Sequence, residues 1–266
     1  MPEGDTVYRA ARLLDRGLAG QVLTGSDFRV PQHANADLTG GTVVGTLSRG
    51  KHLLTRVDRG AERWTLHTHL KMEGTWRLVP PGQRWPRPAH LARVVLSTDR
   101  STAVGFSLGV VELLDRDREA DVVGHLGPDL LGPDWDVDEA IRRLLADPER
   151  PIRAALLDQR NLAGIGNMYA AEVCFVTGTH PSTPVAGVAD LRRMVLRARQ
   201  MLDLNKERAF QSTTGNLRER ERMWVYRRDH APCRRCGTTI AMEMTDDGHL
   251  GSGPRPSYWC PACEPA

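Results

Sequence analysis

Residues 156–175 read LLDQRNLAGIGNMYAAEVCF. The apolar spacing predicts two helices here, one through PIRAALLDQRNLAG and one through NMYAAEVCFVTG. They meet at Asn161-Leu162-Ala163-Gly164-Ile165-Gly166-Asn167. Gly164 and Gly166 allow a tight turn and the close approach of another backbone. Amide groups at the start of the second helix then face outward, an arrangement suited to a phosphate, and the Asn167 side chain can add a contact. A plain glycine turn between two core helices fits the same letters.

Outward from this point the helical pattern continues on both sides. DVDEAIRRLLAD carries Asp136 as an N-cap, and ADLRRMVLRARQMLDLNKERA follows the glycine turn. Residues 205–230 are polar and basic, with a turn at Thr213-Thr214-Gly215-Asn216. Further upstream the period changes. TVYRAARLLDRGLA (6–19) has Val7, Ala10, Ala11, Leu14 and Leu18 on one helical face. Between 21 and 115 come short β-type runs: QVLTGSDFRV, GTVVGTLSRG, HLLTRV, RWTLHTHL, GTWRLV, ARVVLST and TAVGFS. Many short strands at this spacing predict a β-sandwich or barrel, with PPGQRWPRPAH as a proline-rich loop. The expected organisation is α+β and multidomain. It has a β-domain with an N-terminal helix (1–115), a Gly/Pro-interrupted connector (116–135), a helical domain (136–228) and a Cys-bounded hairpin (229–266).

The chain has 266 residues, 40% of them hydrophobic and 5% aromatic, and no apolar run approaches the roughly 20 residues of a membrane helix. Its first residues carry Glu3 and Asp5, unlike a signal peptide. A cytoplasmic protein is expected. Lys+Arg 36 against Asp+Glu 33 gives a net charge of +3, but residues 191–236 hold 13 basic and 5 acidic residues, a local excess of +8. Such a region fits a polyanion partner, or else a solvated arginine-rich face.

Four of the five cysteines form two knuckles, Cys233-Arg234-Arg235-Cys236 and Cys260-Pro261-Ala262-Cys263, in the spacing C-x2-C-x23-C-x2-C. Four thiolates so paired suit one tetrahedral structural zinc ion, with an Fe–S cluster as the competitor. The spacer predicts a β-hairpin with Asp246-Asp247-Gly248 and Gly251-Ser252-Gly253 at its tip, and Arg255 just before the second knuckle. Cys174, on an apolar helical face, reads as an inert buried thiol. Removal of Met1 would expose a prolyl secondary amine at Pro2. An α-amino group has a pKa near roughly 8, so it is partly neutral and nucleophilic. Attack on a sugar C1′ would give an iminium directly, with Glu3 beside it as a general acid/base.

Taken together and in order, MPEG, SRGKHLL, HLGPDLL, LLDQRNLAGIGN and RPSYWCPAC resemble the formamidopyrimidine-DNA glycosylase/endonuclease VIII family over essentially the whole chain. The likeness is greatest to the actinobacterial endonuclease VIII branch. The resemblance implies a two-layered β-sandwich, a helix–two-turn–helix domain and a zinc finger, acting as a monomer on damaged DNA with no membrane partner. It implies Pro2 as the Schiff-base nucleophile and Glu3 as the essential carboxylate. Lys51 and Arg255 would serve both catalysis and phosphate binding, and Asn167 with Gly164 and Gly166 would grip the backbone. Within His69-Leu70-Lys71-Met72-Glu73-Gly74, Met72 would be the wedge filling the gap left by the flipped nucleotide; packing in a strand is its other reading.

Two departures bear on substrate. Purine-specific members carry an arginine and a phenylalanine near 105–111, where this chain reads GFSLGVV without arginine. A second carboxylate after Glu3 is replaced by Thr6, with Asp5 nearby. The missing arginine favours excision of oxidised pyrimidines, with β,δ-elimination as the nicking step; at the second position either Asp5 partly replaces the carboxylate or the base pocket differs. The alternatives are an 8-oxoguanine-type purine glycosylase and a non-catalytic zinc-finger DNA-binding protein.

Overall fold

The computed structural model describes residues 2–246 and 253–266. It divides into two compact units, Met1–His125 and Leu126–Ala266. Among the described residues, the first unit holds helix α1 (Gly4–Leu18) and two four-stranded antiparallel sheets. One sheet has the order β1 (Gly25–Phe28), β6 (Ala92–Ser97), β7 (Thr102–Phe106), β5 (Thr75–Val79). The other runs β2 (Thr42–Arg49), β3 (His52–Arg59), β4 (Glu62–His69), β8 (Val110–Asp115). Alternation along the strands turns Leu53, Val57 and Leu66 of one sheet and Val94, Leu96 and Ala103 of the other into a shared core. The stripe Val7–Ala11–Leu14–Leu18 of α1 is buried in that same core.

The sandwich and the helix match the sequence reading, with one omission. VVELLD closes the second sheet as β8, with Glu112 opposite His67 and Val110 opposite His69. Two acids spaced three apart among four apolar residues give that segment little alternation to read. Residues 116–123, read as part of a connector, form a 3-10 turn and the short helix α2 (Glu119–Val123). Arg56 of β3 holds Glu119 through a two-point ion pair at 2.7 and 2.8 Å, and Thr65 donates to the same carboxylate at 2.6 Å.

The second unit contains α3 (Val137–Leu144), α4 (Ile152–Leu157), α5 (Asn167–Thr177) and α6 (Leu191–Asn205), then the hairpin of β9 (Ala241–Thr245) and β10 (Arg255–Trp259). The expected hairpin tip, Asp247-Gly248 and Gly251-Ser252, lies outside the described residues. Asp136 caps α3 by accepting from the amides of Asp138 and Glu139. Helix α4 ends at Leu157, earlier than the periodicity predicts. The reason is local: the Asp158 carboxylate accepts the Arg160 amide at 3.0 Å, an Asx turn that competes with the helix. Arg150 and Arg160 flank that carboxylate as well, and Asp158 is held well below the usual carboxylate range despite its burial.

Helix α5 is buried on nearly every side: residues 167–175 are all inaccessible, Cys174 among them. Burial raises the Cys174 thiol far above its ordinary pKa, which keeps it inert. Glu172 is also fully buried on this helix, and its carboxylate organises the loop that follows α6. It accepts the backbone amides of Trp224, Val225 and Tyr226, each at 2.8 Å, together with the Thr213 hydroxyl.

Replacing Glu172 by Ala orphans the buried Val225 amide and the part-buried amides of Trp224 and Tyr226, so Glu172→Ala is expected to lower the stability of this unit by about 3 kcal/mol. Denaturant titration followed by the fluorescence of Trp224, compared with wild type, measures it. A change under about 1 kcal/mol would mean that the loop is held by other contacts.

Candidate active site and nucleic-acid interface

In the first unit, Pro2 is half-buried and Glu3 is fully buried, directly before the first turn of α1. A carboxylate at that place lies in the positive field of the helix N-terminus. The helix and β2 run in opposite directions: Gly20 donates to Val43 O at 2.8 Å, and Thr46 donates to the Asp15 carboxylate at 3.0 Å. From Asp15 back to Gly4 the helix advances about 16 Å. From Thr46 forward to Lys51 the strand advances about the same 16 Å. Pro2 and Glu3 therefore emerge at the same end of the sandwich as the Lys51 turn. That turn is tight, with Gly50 at a φ of +57° and Lys51 half-buried beside it.

Met72 stands on the turn between β4 and β5, with 60% of its surface exposed. Its neighbour Lys71 adopts a left-handed φ of +50°, and the Lys71 amide is held by His69 Nδ1 at 2.9 Å. An exposed apolar side chain on a tethered turn is not packed in a strand. The β7–β8 connection is only Ser107-Leu108-Gly109, and Leu108 is buried in the core.

A set of histidines that the sequence reading did not single out lies near Lys51. His52 follows it directly, pairs across the sheet with His69, and shares a hydrogen bond of 2.8 Å with His67. Burial, then the neighbouring His69, His67, His125 and Lys71, push His52 down to about 3. Burial together with Lys71 and Lys51 does the same to His69. Both are neutral imidazoles at physiological pH.

In the second unit, residues 162–166 of the turn between α4 and α5 are buried, while Arg160 before them is exposed. Gly164 has a φ of +113°, and its amide donates to Gln159 Oε1 at 3.0 Å, so that donor is turned inward. The HLGPDLL segment runs against this turn: Gly127 donates to Gln159 O at 2.9 Å and Ala163 to Pro128 O at 2.9 Å. A Cβ on Gly127 would fall 2.5 Å from Asn161 O, which explains glycine there.

Gly166 precedes α5, and Asn167 begins it with its side chain buried. Asn167 Oδ1 accepts from Arg153 at 2.5 Å, and its Nδ2 donates to Pro256 O at 2.9 Å. Arg153 also donates to Thr245 Oγ1 at 2.7 Å. Thus the α5 start and both strands of the hairpin are tied by one buried arginine. The sequence holds a faint sign of this, because a charged residue inside the apolar run PIRAALL is buried only when it has partners. Arg255 opens β10 opposite Thr245, half-buried, on the strand that Asn167 holds at Pro256.

The four hairpin cysteines converge. Their Sγ atoms all lie within 4.8 Å of one another, with Cys236–Cys260 at 3.4 Å, Cys236–Cys263 at 3.5 Å and Cys233–Cys263 at 3.9 Å. Four thiolates around a tetrahedral ion at about 2.3 Å would sit about 3.8 Å apart. The cluster therefore fits a metal such as zinc. Its base packs on α5, where Cys233 and Cys260 join Phe175, Val225 and Tyr258, and Arg235 lies over the Phe175 ring at 4.4 Å.

Comparison with known proteins places this geometry. Residues 1–107 match the formamidopyrimidine-DNA glycosylase N-terminal domain, and residues 126–207 match the formamidopyrimidine-DNA glycosylase H2TH domain. The chain is 52% identical over 267 residues to the probable endonuclease 8 2 of Streptomyces coelicolor, covering 99% of this chain and 94% of that protein. It is 49% identical over 266 residues to the DNA-(apurinic or apyrimidinic site) lyase Nei2 of Mycolicibacterium smegmatis, covering 100% of both. Among solved structures, it shares the fold of Lactococcus lactis Fpg in complex with abasic-site DNA, at a TM-score of 0.80 and 21% identity over 100% of both chains. MutM bound to DNA containing carbocyclic 8-oxo-G gives 0.79 at 22% identity, again over 100% of both chains. No helix among the described residues is long and apolar enough to cross a membrane. With both matched domains and relatives of this similarity along its length, the chain belongs to the formamidopyrimidine-DNA glycosylase/endonuclease VIII family.

Proposed function

We propose that this protein is a DNA glycosylase with AP-lyase activity that works in base excision repair as a cytoplasmic monomer. The observation that carries the reading is the placement of Pro2 and a fully buried Glu3 at the Lys51 end of the sandwich, held there by α1. The relative from Mycolicibacterium smegmatis, alike over its whole length, bears the name of an AP lyase.

Chemistry on a base requires the nucleotide to leave the stack. Met72 on its exposed turn is suited to fill the gap, an apolar wedge that a strand-packed residue could not supply. With Met1 removed, the neutral Pro2 nitrogen attacks C1′ of the flipped nucleotide and the base departs. Glu3 gives and takes protons as the sugar ring opens. The resulting iminium acidifies C2′, so β-elimination breaks the 3′ phosphate bond and δ-elimination then breaks the 5′ bond. Lys51 and Arg255 hold the phosphates whose charge develops during these steps, where donors aimed in advance count most.

Asn167 joins them on the backbone, together with Gly166 directly before it; the Gly164 amide, held by Gln159, takes no part. Nδ2 of Asn167 spends one of its two hydrogens on Pro256 O, so a phosphate taking the other would be linked to the hairpin through this residue. Cys233, Cys236, Cys260 and Cys263 would hold one zinc ion, whose four protein ligands keep the hairpin folded and leave no open coordination position. Oxidised pyrimidines are the substrates we assign. The three-residue β7–β8 connection, with Leu108 buried, offers no arginine-bearing loop to read a purine.

Pro2→Gly is expected to lose most borohydride trapping on lesion DNA while binding it with near wild-type affinity; trapping at the wild-type yield would remove Pro2 as nucleophile. Arg255→Ala should slow single-turnover cleavage by about 100-fold and leave the metal content unchanged by atomic absorption. A wild-type rate would take Arg255 out of the site. Stripping metal with a chelator should unfold the hairpin and abolish nicking, with recovery on adding Zn²⁺; full activity in metal-free protein would contradict the structural assignment. A cleavage panel should show oxidised pyrimidines cut faster than 8-oxoguanine, and the reverse order would favour the purine-type enzyme.

A further inference from the structure

Two knuckles supply the four thiolates, and their backbones are held in different ways. In the first, Cys233-Arg234-Arg235-Cys236, the chain turns back and pairs Thr239 with Pro232. The Cys233 amide thereby finds Thr238 O at 2.8 Å, and Gly237 donates to Cys233 O at 2.9 Å. In the second, Cys260-Pro261-Ala262-Cys263, the amides of Cys263 and Glu264 donate to Cys260 O at 3.1 and 2.9 Å. Among the described residues, no strand follows Cys263. The Cys260 amide takes a side chain instead, and donates to Glu264 Oε2 at 2.7 Å.

Glu264 is fully buried, a rare state for a glutamate. It is not a fifth ligand, because the four sulfurs complete a tetrahedral set without it. Its Oε1 is buried with no hydrogen-bond partner, so among the described residues the Cys260 amide accounts for the enclosure of this carboxyl. Cys260 is itself inaccessible, in the apolar cluster that includes Ala171 and Phe175 of α5. Its amide therefore has no water to turn to, and leaving it without an acceptor is costly.

We propose that Glu264 is a positioning residue for the metal: its carboxyl holds the second knuckle in ligating shape and so sets how tightly the hairpin keeps its ion. This rests on the reading of the four cysteines as a zinc site. With the Cys260 amide fixed, the Cys260 and Cys263 thiolates are set before the ion arrives. Without that acceptor the knuckle relaxes, and ordering it again is subtracted from the binding free energy.

The hydrogen bond, and not the charge, carries the effect. A carboxylate, a carboxylic acid and a carboxamide all offer an oxygen that can accept an amide, so the hold does not depend on the protonation of Glu264. Reach matters more, because Oε2 must span from residue 264 back to residue 260. Strand β10 runs from Arg255 to Trp259 directly into Cys260, so the strand that bears Arg255 is anchored at its end by the same contact.

The test uses the full-length protein, freed of metal under reducing conditions and titrated with Zn²⁺ against a chromophoric chelator. Release of zinc from the loaded protein is followed with the same dye. Co²⁺ spectra report whether thiolates still bind the ion, and thermal melting of the loaded protein checks that each variant folds. Glu264→Ala should bind zinc about 10- to 100-fold more weakly and release it faster, with the thiolate bands of Co²⁺ retained. Glu264→Gln keeps an acceptor of the same reach and should bind zinc as the wild type does. Glu264→Asp keeps the charge on a side chain one methylene shorter, and should resemble Glu264→Ala. Should Glu264→Ala fail to fold, the order of the other two decides. Wild-type affinity in Glu264→Ala would overturn the proposal, and so would a Glu264→Gln that binds no more tightly than Glu264→Asp. A wild type that takes up no zinc would remove the metal reading and this proposal together. One zinc held by the wild type, with Glu264→Ala its equal, removes this proposal alone.

Discussion

The burial of α1 in the β-core sets the chemistry of the first unit. Residues at the start of a chain ordinarily fray, because nothing repays the entropy of ordering them. Here the stripe Val7–Ala11–Leu14–Leu18 is buried among side chains from both sheets, and Val7, Leu14 and Leu18 each contribute roughly 1.5–3 kcal/mol relative to exposure. A segment anchored that firmly cannot swing, so Pro2 and Glu3 keep a fixed place at the Lys51 end. An amine nucleophile needs this more than it needs a special pKa. For the nucleophile proposed at Pro2, orientation against the reacting carbon would supply the acceleration.

The second unit solves a different problem with buried polar groups. Glu172 gathers three successive amides, and Arg153 joins Asn167 to Thr245 and Pro256. Neither adds much apolar area. Each fixes where a loop or hairpin must lie, because leaving one of these groups unpartnered in the interior is costly. The cysteine cluster packs on the same helix α5, so the helix that begins with Asn167 also supports the base of the finger. The start of α5, the hairpin and the cysteine cluster are thus joined as one small body.

How much of this was legible in the sequence differs by the kind of signal. Helix α1, the sandwich strands and the four-cysteine hairpin declare themselves through periodicity and spacing, which depend on neighbours a few residues apart. Strand β8 escapes such a reading because Val110–Asp115 shows little alternation, and its identity comes from pairing with β4, far back in the chain. The early end of α4 follows from one side chain, Asp158, taking the Arg160 amide. The Gly164 amide, expected to point at phosphate, is claimed by Gln159, a contact no spacing rule anticipates. The His52–His67–Glu112 chain joins three strands, and only the sheet register brings those letters side by side. Local rules reach the elements; hydrogen bonds across strands need the fold.

The covalent step proposed at Pro2 is most directly examined by mass spectrometry of the borohydride-reduced complex with abasic DNA. After digestion of the DNA and the protein, the peptide beginning at Pro2 should carry the mass of the reduced sugar remnant, and fragmentation should place it on the prolyl nitrogen. A remnant found on a lysine such as Lys51, with the Pro2 peptide unmodified, would contradict the account.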